Sequence, residues 1–540
     1  MPKYIHKNAK ADLETGQRNA KPLPSYKRMP HTSFTVDAFK YGKLDFCTGY
    51  FLTHFHSDHY GGLTKRFIGD IYCTRITANC VIKKLGVNPD CVHALPMNTR
   101  CLVQGVYVTF IDANHCPGAA IILFEIPHSG SLVRIVHTGD FRASDRHVSQ
   151  ILRVLETDVQ QPIMSNTIAG CDNRHKYWKR VVPMIDYLYL DTTYLQPAHA
   201  FPTQENVIQT VVAFCRNIND DPAYLTNFLQ RIGRGSKKGV HESDRSTKSE
   251  SSTQAKSSLL TRWFRPKPSP HKSPTTTSLS SSLSPSGFFK RRRVLFVVGS
   301  YSIGKERLFI EIARQLKTKI YVSRDKRTML ECIGSPSLLA LLANSMSEAQ
   351  VHVVSMSMVN MRGMAEYLQA VQKEAAFFSS IVAFSPTGWS HGGAYYSGRE
   401  QQPLVWPEKS ACGNVGPKLN GSDIERMVAH IASSARIQTD SSTFSIDSLK
   451  PRGSSNKATI FPVSYSEHSS FTELARFICS LRIETVVPTV FSSDEKNKLA
   501  KSWIKHWQDL KIEFAHMLRN STSPQLSSDR HIVPCFDQIV

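Results

Sequence analysis

The sequence predicts an α/β protein whose strand ends carry a cluster of metal-binding side chains. Three observations lead there. Short apolar runs separated by glycine, proline and polar residues recur from Phe34 onward, which is the pattern of a β-rich layer. After a break in mid-chain, residues 294–298 read as a buried strand, 299–305 as a loop, 306–316 as a helix and 319–322 as a strand, a β-loop-α-β unit. Thr53-His54-Phe55-His56-Ser57-Asp58-His59 then sets four candidate ligands, His54, His56, Asp58 and His59, directly behind the apolar Tyr50-Phe51-Leu52.

The chain has 540 residues, enough for two to four domains, and 41% of them are hydrophobic, enough for a sizeable core. Its formal net charge is +22. Residues 231–293 hold 15 Lys/Arg against 3 Asp/Glu, a net of +12, so about half the excess lies in one stretch. The remainder still favours a polyanionic partner such as nucleic acid. Twelve cysteines without CxxC pairs read as reduced thiols of an intracellular protein. No apolar run approaches a membrane span, and Met1-Pro2-Lys3-Tyr4-Ile5-His6 lacks the apolar core of a signal peptide, so cytosol or nucleus is expected.

Composition divides the chain. Residues 1–30 are polar and read as a flexible lead-in, and 31–195 as the first part of one domain. Residues 196–457 read as a second domain interrupted by low-complexity insertions at about 235–290 and 391–457, which cannot bury enough apolar surface to offset their ordering entropy. Residues 458–510 read as a return to the first domain and 511–540 as a tail.

Hydrolysing a phosphodiester near neutral pH needs a strong nucleophile and a place for developing negative charge, both of which two zinc ions supply. Zinc takes imidazole nitrogen and carboxylate oxygen, about four ligands per ion, so two ions need roughly six to eight. Beyond the first four candidates, Asn114-His115-Cys116-Pro117-Gly118 offers His115 on a loop after a strand, and His137-Thr138-Gly139-Asp140-Phe141 offers Asp140 in the same context. The loop Gly299-Ser300-Tyr301-Ser302-Ile303-Gly304-Lys305 opens a helix, where backbone amides and Lys305 suit a phosphate. It is not an ATP-binding P-loop, because Glu306 stands where that motif needs Ser or Thr.

These phrases, together with Phe34-Thr35-Val36-Asp37-Ala38-Phe39, Leu190-Asp191-Thr192-Thr193-Tyr194 and Tyr465-Ser466-Glu467-His468-Ser469-Ser470, resemble the DNA cross-link repair nucleases of the β-CASP branch of the metallo-β-lactamase superfamily. The resemblance covers about residues 25–505. It implies an αββα sandwich with an inserted β-CASP α/β domain, and two Zn2+ ions. His54, His56 and His115 would hold the first ion, with Asp140 bridging. Asp58 and His59 would hold the second, joined by His468. Asp37 would orient a ligand histidine, and Asp191 matches an acidic motif beside the metals; Asp58, Asp140, Asp191 and His468 are then the expected catalytic residues. Tyr301, Lys305 and Ser466 would bind a terminal DNA phosphate. Val490 occupies a position where DNA-directed members carry valine and RNA-processing members histidine.

The implied function is 5′-to-3′ DNA exonuclease in interstrand cross-link repair, in the nucleus. The alternatives are a structure-specific endonuclease, an RNA nuclease, or an inactive scaffold that binds DNA and partners. The intact ligand set argues against the scaffold, and the large insert between Asp191 and His468 argues against a lactamase or glyoxalase. Extra residues 173–180 and Ser385, where relatives usually carry arginine, depart from the family pattern, and no ubiquitin-binding zinc finger is seen before the catalytic part. Leu260, Trp263 and Phe264 in the polar linker resemble a sliding-clamp peptide without its glutamine, and Lys290-Arg291-Arg292-Arg293 fits a nuclear import signal.

Overall fold

The computed structural model describes residues 22–157, 184–195, 199, 201–235, 293–388, 444–490 and 497–509. The clamp-like Leu260, Trp263 and Phe264, the basic residues 290–292, the segment 173–180 and the tail 511–540 lie outside them. Residues 221–292 form a unit of their own, in which Tyr224–Gly235 is helical.

Two sheets carry the first domain. One has four parallel strands in the order β1 (Phe34–Val36), β2 (Gly49–Phe51), β3 (Ile71–Thr74) and β4 (Val92–Leu95). The other runs from β5 (Arg100–Val103) through β6 (Val106–Asp112), β7 (Ala120–His128) and β8 (Ser131–His137) to β9 (Ile185–Leu190). The alternation of apolar residues along the strands decides which faces meet. Phe34, Val36 and Phe51 of the first sheet pack on Val108, Phe110, Ile122 and Phe124 of the second. Phe51 meets Phe124 edge-on at 4.9 Å and is fully buried; truncating such a ring to alanine costs about 3–5 kcal/mol. The opposite faces pack on helices: Arg75–Leu85 through Ala78, Cys80 and Val81, and Asp145–Thr157 through Val148, Ile151 and Leu155. That is an αββα sandwich.

The inserted domain is a six-stranded sheet. Its strands are β10 (Arg293–Ser300), β11 (Lys319–Val322), β12 (Ala349–Ser355), β13 (Phe378–Pro386), β14 (Gly453–Ser454) and β15 (Ala458–Val463), in the order β11-β12-β10-β13-β15-β14. All neighbours are parallel except β14. Strands buried on both faces explain the continuous apolar runs of β10 and β13. The chain then returns. β16 (Ile483–Pro488) pairs with β9, and the helix Phe471–Cys479, with Trp503 and Trp507 from helical residues 497–509, covers the second sheet.

Three expected boundaries are corrected. Residues 25–30 belong to the fold: Ser25–Lys27 is a 3-10 turn, Met29 is fully buried between the sheets, and Tyr189 donates to the Arg28 carbonyl at 3.5 Å. Residues 444–457 are likewise ordered, with Leu449 fully buried. Residues 458–463, expected to begin the return, pair with β13 and so belong to the inserted sheet. The first two were misread because a polar composition hid a large apolar anchor, Met29 in one and Leu449 in the other; the third because an apolar strand does not name its neighbour. All nine described cysteines are free thiols, and no described helix is long and apolar enough to cross a membrane.

Candidate metal centre

The centre is assembled from loops at strand ends, where a rigid sheet presents side chains. β2 stops at Phe51, three residues before His54. At Thr53 the amide leaves the sheet for the carboxylate of Asp37 at 2.9 Å, and the Thr53 hydroxyl donates to the same group at 2.8 Å. Ser57–Tyr60 then turns as one helical turn, which carries Asp58 and His59. After β6, Asn114 takes a left-handed conformation (φ 50°) and turns His115 inward. After β8, Gly139 (φ 55°) lies so close to Thr53 that a Cβ would stand 2.8 Å from the Thr53 Cβ, so only glycine lets the Asp140 loop seat there.

Five imidazoles converge, and each gives one ring N–H to a fixed acceptor. His54 Nδ1 donates to Thr53 Oγ1 at 3.0 Å and His59 Nδ1 to Asp37 at 2.7 Å. His56 Nε2 donates to the Ile303 carbonyl at 3.1 Å, and His115 Nδ1 to the Glu467 carbonyl at 2.8 Å. His468 Nδ1 donates to Asp191 at 2.8 Å. That pattern fixes the tautomers and leaves the second nitrogen of each ring as a lone-pair donor. His56 Nδ1 then stands 2.9 Å from His54 Nε2 and 3.1 Å from His115 Nε2. A tetrahedral ion with bonds near 2.05 Å separates its ligands by roughly 3.3 Å, so the three nitrogens fit one ion with little adjustment.

Three donor sets each lie within 4.8 Å: His54, His56, His115 and Asp140; Asp58, His59 and Asp140; and Asp140, Asp191 and His468. Asp140 is common to all. His468 shares its set with Asp140 and Asp191, and Asp58 and His59 share another with Asp140. Asp191 is saturated, since it also accepts from the Thr193 amide at 3.0 Å and hydroxyl at 2.6 Å and from the Phe141 amide at 3.3 Å. Asp37, as expected, touches His59 directly and His54 through Thr53. Val490 lies just past β16, its carbonyl 3.4 Å from Thr192 Oγ1, one residue beyond Asp191.

The charges are concentrated and sorted. Burial, then neighbouring imidazoles, hold His54 well below its ordinary pKa and His115 at about 3. Burial opposes charge at His59 too, but the Asp140 and Asp37 carboxylates hold it well above the usual value. At His468 burial is likewise overcome, by Asp191 and then Asp140, and the ring is held up to about 9. Asp140, despite burial, is held well below the carboxylate range by His59. The donor set therefore fits divalent ions: imidazoles and carboxylates of opposite sign, with the protons on His59 and His468 standing where a cation would bind.

The expected phosphate pocket is corrected. Lys305 is only 5% exposed, and its ammonium is taken by the Glu467 carboxylate at 2.9 Å. The Lys305 amide also donates to Glu467, at 2.7 Å, and the Gly304 amide donates to Glu306 at 2.8 Å. Ser466 is buried, and its hydroxyl donates to the His468 carbonyl at 2.8 Å. The loop amides thus already hold internal carboxylates, and of the three residues only Tyr301, 51% exposed, faces solvent.

Residues without an expected role hold the loops together. Arg142 is buried and donates to the Ser466 carbonyl at 2.9 Å, to the Pro202 carbonyl at 2.8 Å and to Glu473 at 3.1 Å. Its own amide donates to the Ala113 carbonyl at 3.0 Å. It therefore ties the Asp140 loop to those of His115 and His468. Arg142→Ala strands the Pro202 carbonyl, at about 1–3 kcal/mol, whereas the Ser466 carbonyl keeps the Gln204 side-chain amide at 2.9 Å. The expected result is a loss of at least about 1 kcal/mol in urea unfolding, and an unchanged midpoint would contradict this role. The only sequence signal for Arg142 was its place in the Asp140 phrase.

The family model described as DNA repair metallo-β-lactamase matches residues 336–494, which include the loop of Ser466 to His468. The DNA cross-link repair 1A protein of Gallus gallus is 32% identical over 493 residues, 91% of this chain and 35% of that protein. The chain belongs to the DNA repair metallo-β-lactamase family. The DNA cross-link repair protein SNM1 of Arabidopsis thaliana is 29% identical over 480 residues, 89% of this chain and 68% of that protein. The 5′ exonuclease Apollo of Danio rerio is 24% identical over 369 residues, 67% of this chain and 45% of its own length. The chain spans about a third of the length of the DNA cross-link repair 1A proteins it matches.

Proposed function

We propose that this chain is a zinc-dependent phosphodiesterase of the nucleus, a 5′-to-3′ DNA exonuclease that works from 5′-phosphorylated ends in interstrand cross-link repair. The observation that carries this reading is the convergence of His54, His56, His115, Asp58, His59 and His468 on the single carboxylate of Asp140. Membership of a DNA repair family supports DNA as substrate, and a relative named as a 5′ exonuclease supports the polarity. Val490 favours DNA over RNA.

His54, His56, His115 and Asp140 would hold one Zn2+, and Asp140 with Asp58, His59 and His468 would hold a second. Bound there, the ions supply Lewis acidity and a nucleophile deprotonated at neutral pH. The protein does the rest. Asp37 and Thr53 keep His54 and His59 turned inward. Asp191 accepts the Nδ1 proton of His468, which orients the ring and raises its basicity as a ligand. Asp58, on an exposed turn, stands at the mouth. Tyr301 offers an exposed ring on the loop that leads to the site.

Metal binding must displace protons from His59 and His468, whose pKa values are raised in the metal-free protein. Affinity therefore rises with pH at least up to about 9, where His468 gives up its proton unaided. The expected gain is about tenfold per pH unit for each proton displaced. Chelator competition between pH 6 and 9 checks it, and a flat profile would rule out these histidines as ligands.

Digestion of 5′-phosphorylated and 5′-hydroxyl strands of DNA and RNA, with and without chelator, tests the function. Chelator-sensitive shortening of 5′-phosphorylated DNA from its 5′ end is expected. Internal cuts would favour a structure-specific endonuclease, preference for RNA an RNA nuclease, and no digestion a scaffold; each would overturn the reading.

A further inference from the structure

Glu306 and Lys326 lie outside the donor sets, yet they control a contact that reaches His56. Both side chains are buried, and the Lys326 ammonium lies 2.7 Å from the Glu306 carboxylate. The same ammonium is ringed by Ser300 Oγ at 3.0 Å and by the carbonyls of Tyr301 at 3.1 Å and Ser302 at 3.2 Å. Glu306 in turn receives the Gly304 amide on both oxygens, at 3.0 and 2.8 Å. One ion pair thus fixes the turn on either side of Ile303.

That turn needs fixing. Gly304 (φ 110°) and Lys305 (φ 68°) are both left-handed, which is unfavourable for the lysine. Between the clamped residues, the Ile303 side chain is fully buried in the sandwich core and its carbonyl receives His56 Nε2–H at 3.1 Å. Because Nε2 is held there, Nδ1 is the nitrogen turned to His54 and His115.

We propose that the buried Glu306–Lys326 pair positions the metal centre, by clamping the 300–304 turn so that the Ile303 carbonyl sets the tautomer and orientation of His56. The pair touches no donor atom, so it acts on His56 through this carbonyl, as outer partners of ligand histidines do. The inference rests on the reading that His54, His56, His115 and Asp140 hold an ion.

Co2+ binding to the full chain tests it, with affinity from chelator competition, visible absorption as the report of ligand geometry, and the thermal midpoint of the metal-free protein. Wild-type protein binds Co2+. Lys326→Met and Glu306→Gln are expected to bind it about 10–100-fold more weakly, with a changed visible band. Either single change leaves one buried charge uncompensated, so the midpoint falls as well; the double variant removes both charges and recovers the midpoint. In a positioning role the double variant stays weak for Co2+ although its stability returns. Affinity that recovers with the midpoint, or singles that bind with unchanged affinity and band, would overturn the inference and leave the metal reading intact. Should the singles not fold, the double variant decides by the same criterion. Failure of wild-type protein to bind Co2+ would instead overturn the metal reading.

Discussion

Replacing Asp140 by alanine is expected to abolish both metal retention and strand digestion. Asp140 is the one carboxylate shared by all three donor sets. Its oxygen lies 3.3 Å from His59 Nε2, 3.7 Å from His54 Nε2 and 3.8 Å from His115 Nε2. Without it, the imidazole cluster loses the carboxylate its three donor sets share. Metals in such sites contribute several kcal/mol to the transition state, so activity should fall by about a thousandfold or more. The fold should survive, because a buried carboxylate surrounded by imidazoles contributes charge here more than packing. Metal analysis and initial rates on the same preparation check this. A variant that keeps its metal and more than a tenth of the activity would remove Asp140 from the centre of the account.

The second large effect concerns Lys305, whose role differs between the sequence and the structure. As a phosphate contact, its loss would raise KM for 5′-phosphorylated DNA and leave stability alone. In the structure it neutralises Glu467, which is buried and held below the usual carboxylate range by the Lys305 ammonium once burial is overcome. Lys305→Met leaves that carboxylate uncompensated, and such losses cost about 3–5 kcal/mol. Glu467 also carries the carbonyl that orients His115, so metal affinity should fall with stability. Denaturant unfolding of the metal-free protein separates the two roles. An unchanged midpoint with a KM effect confined to 5′-phosphorylated strands would restore the phosphate role.

The ligand set was legible because its chemistry is local. His54 to His59 lie in one phrase, and His115 and Asp140 each follow a strand at a turn, so residue type and period sufficed. The strands β6, β7 and β8 were legible as apolar runs, whereas the αββα layering was an expectation from the family resemblance. What could not be read was contact between distant segments. The hydrogen bond of His468 to Asp191 depends on where two loops far apart in the chain meet. The internal occupation of the 299–305 loop depends on Glu467 and Lys326, which no spacing rule links to it. Glu306 was read as the missing hydroxyl of a P-loop, whereas it supplies the anion that caps the Gly304 amide. The strand at residues 458–463 was assigned to the wrong sheet because a strand's sequence states its burial, not its neighbour. Met29 and Leu449 show how one buried side chain can anchor a segment whose composition is otherwise that of a linker.

The central claim is that six side chains around Asp140 form with it a metal centre that cleaves DNA. The most direct measurement is metal content per chain, followed through chelation and zinc restoration, alongside shortening of a 5′-phosphorylated DNA strand. The account predicts bound metal in the purified chain, loss of digestion when it is removed, and recovery of digestion in proportion to zinc returned. Undiminished digestion by metal-free protein would contradict it.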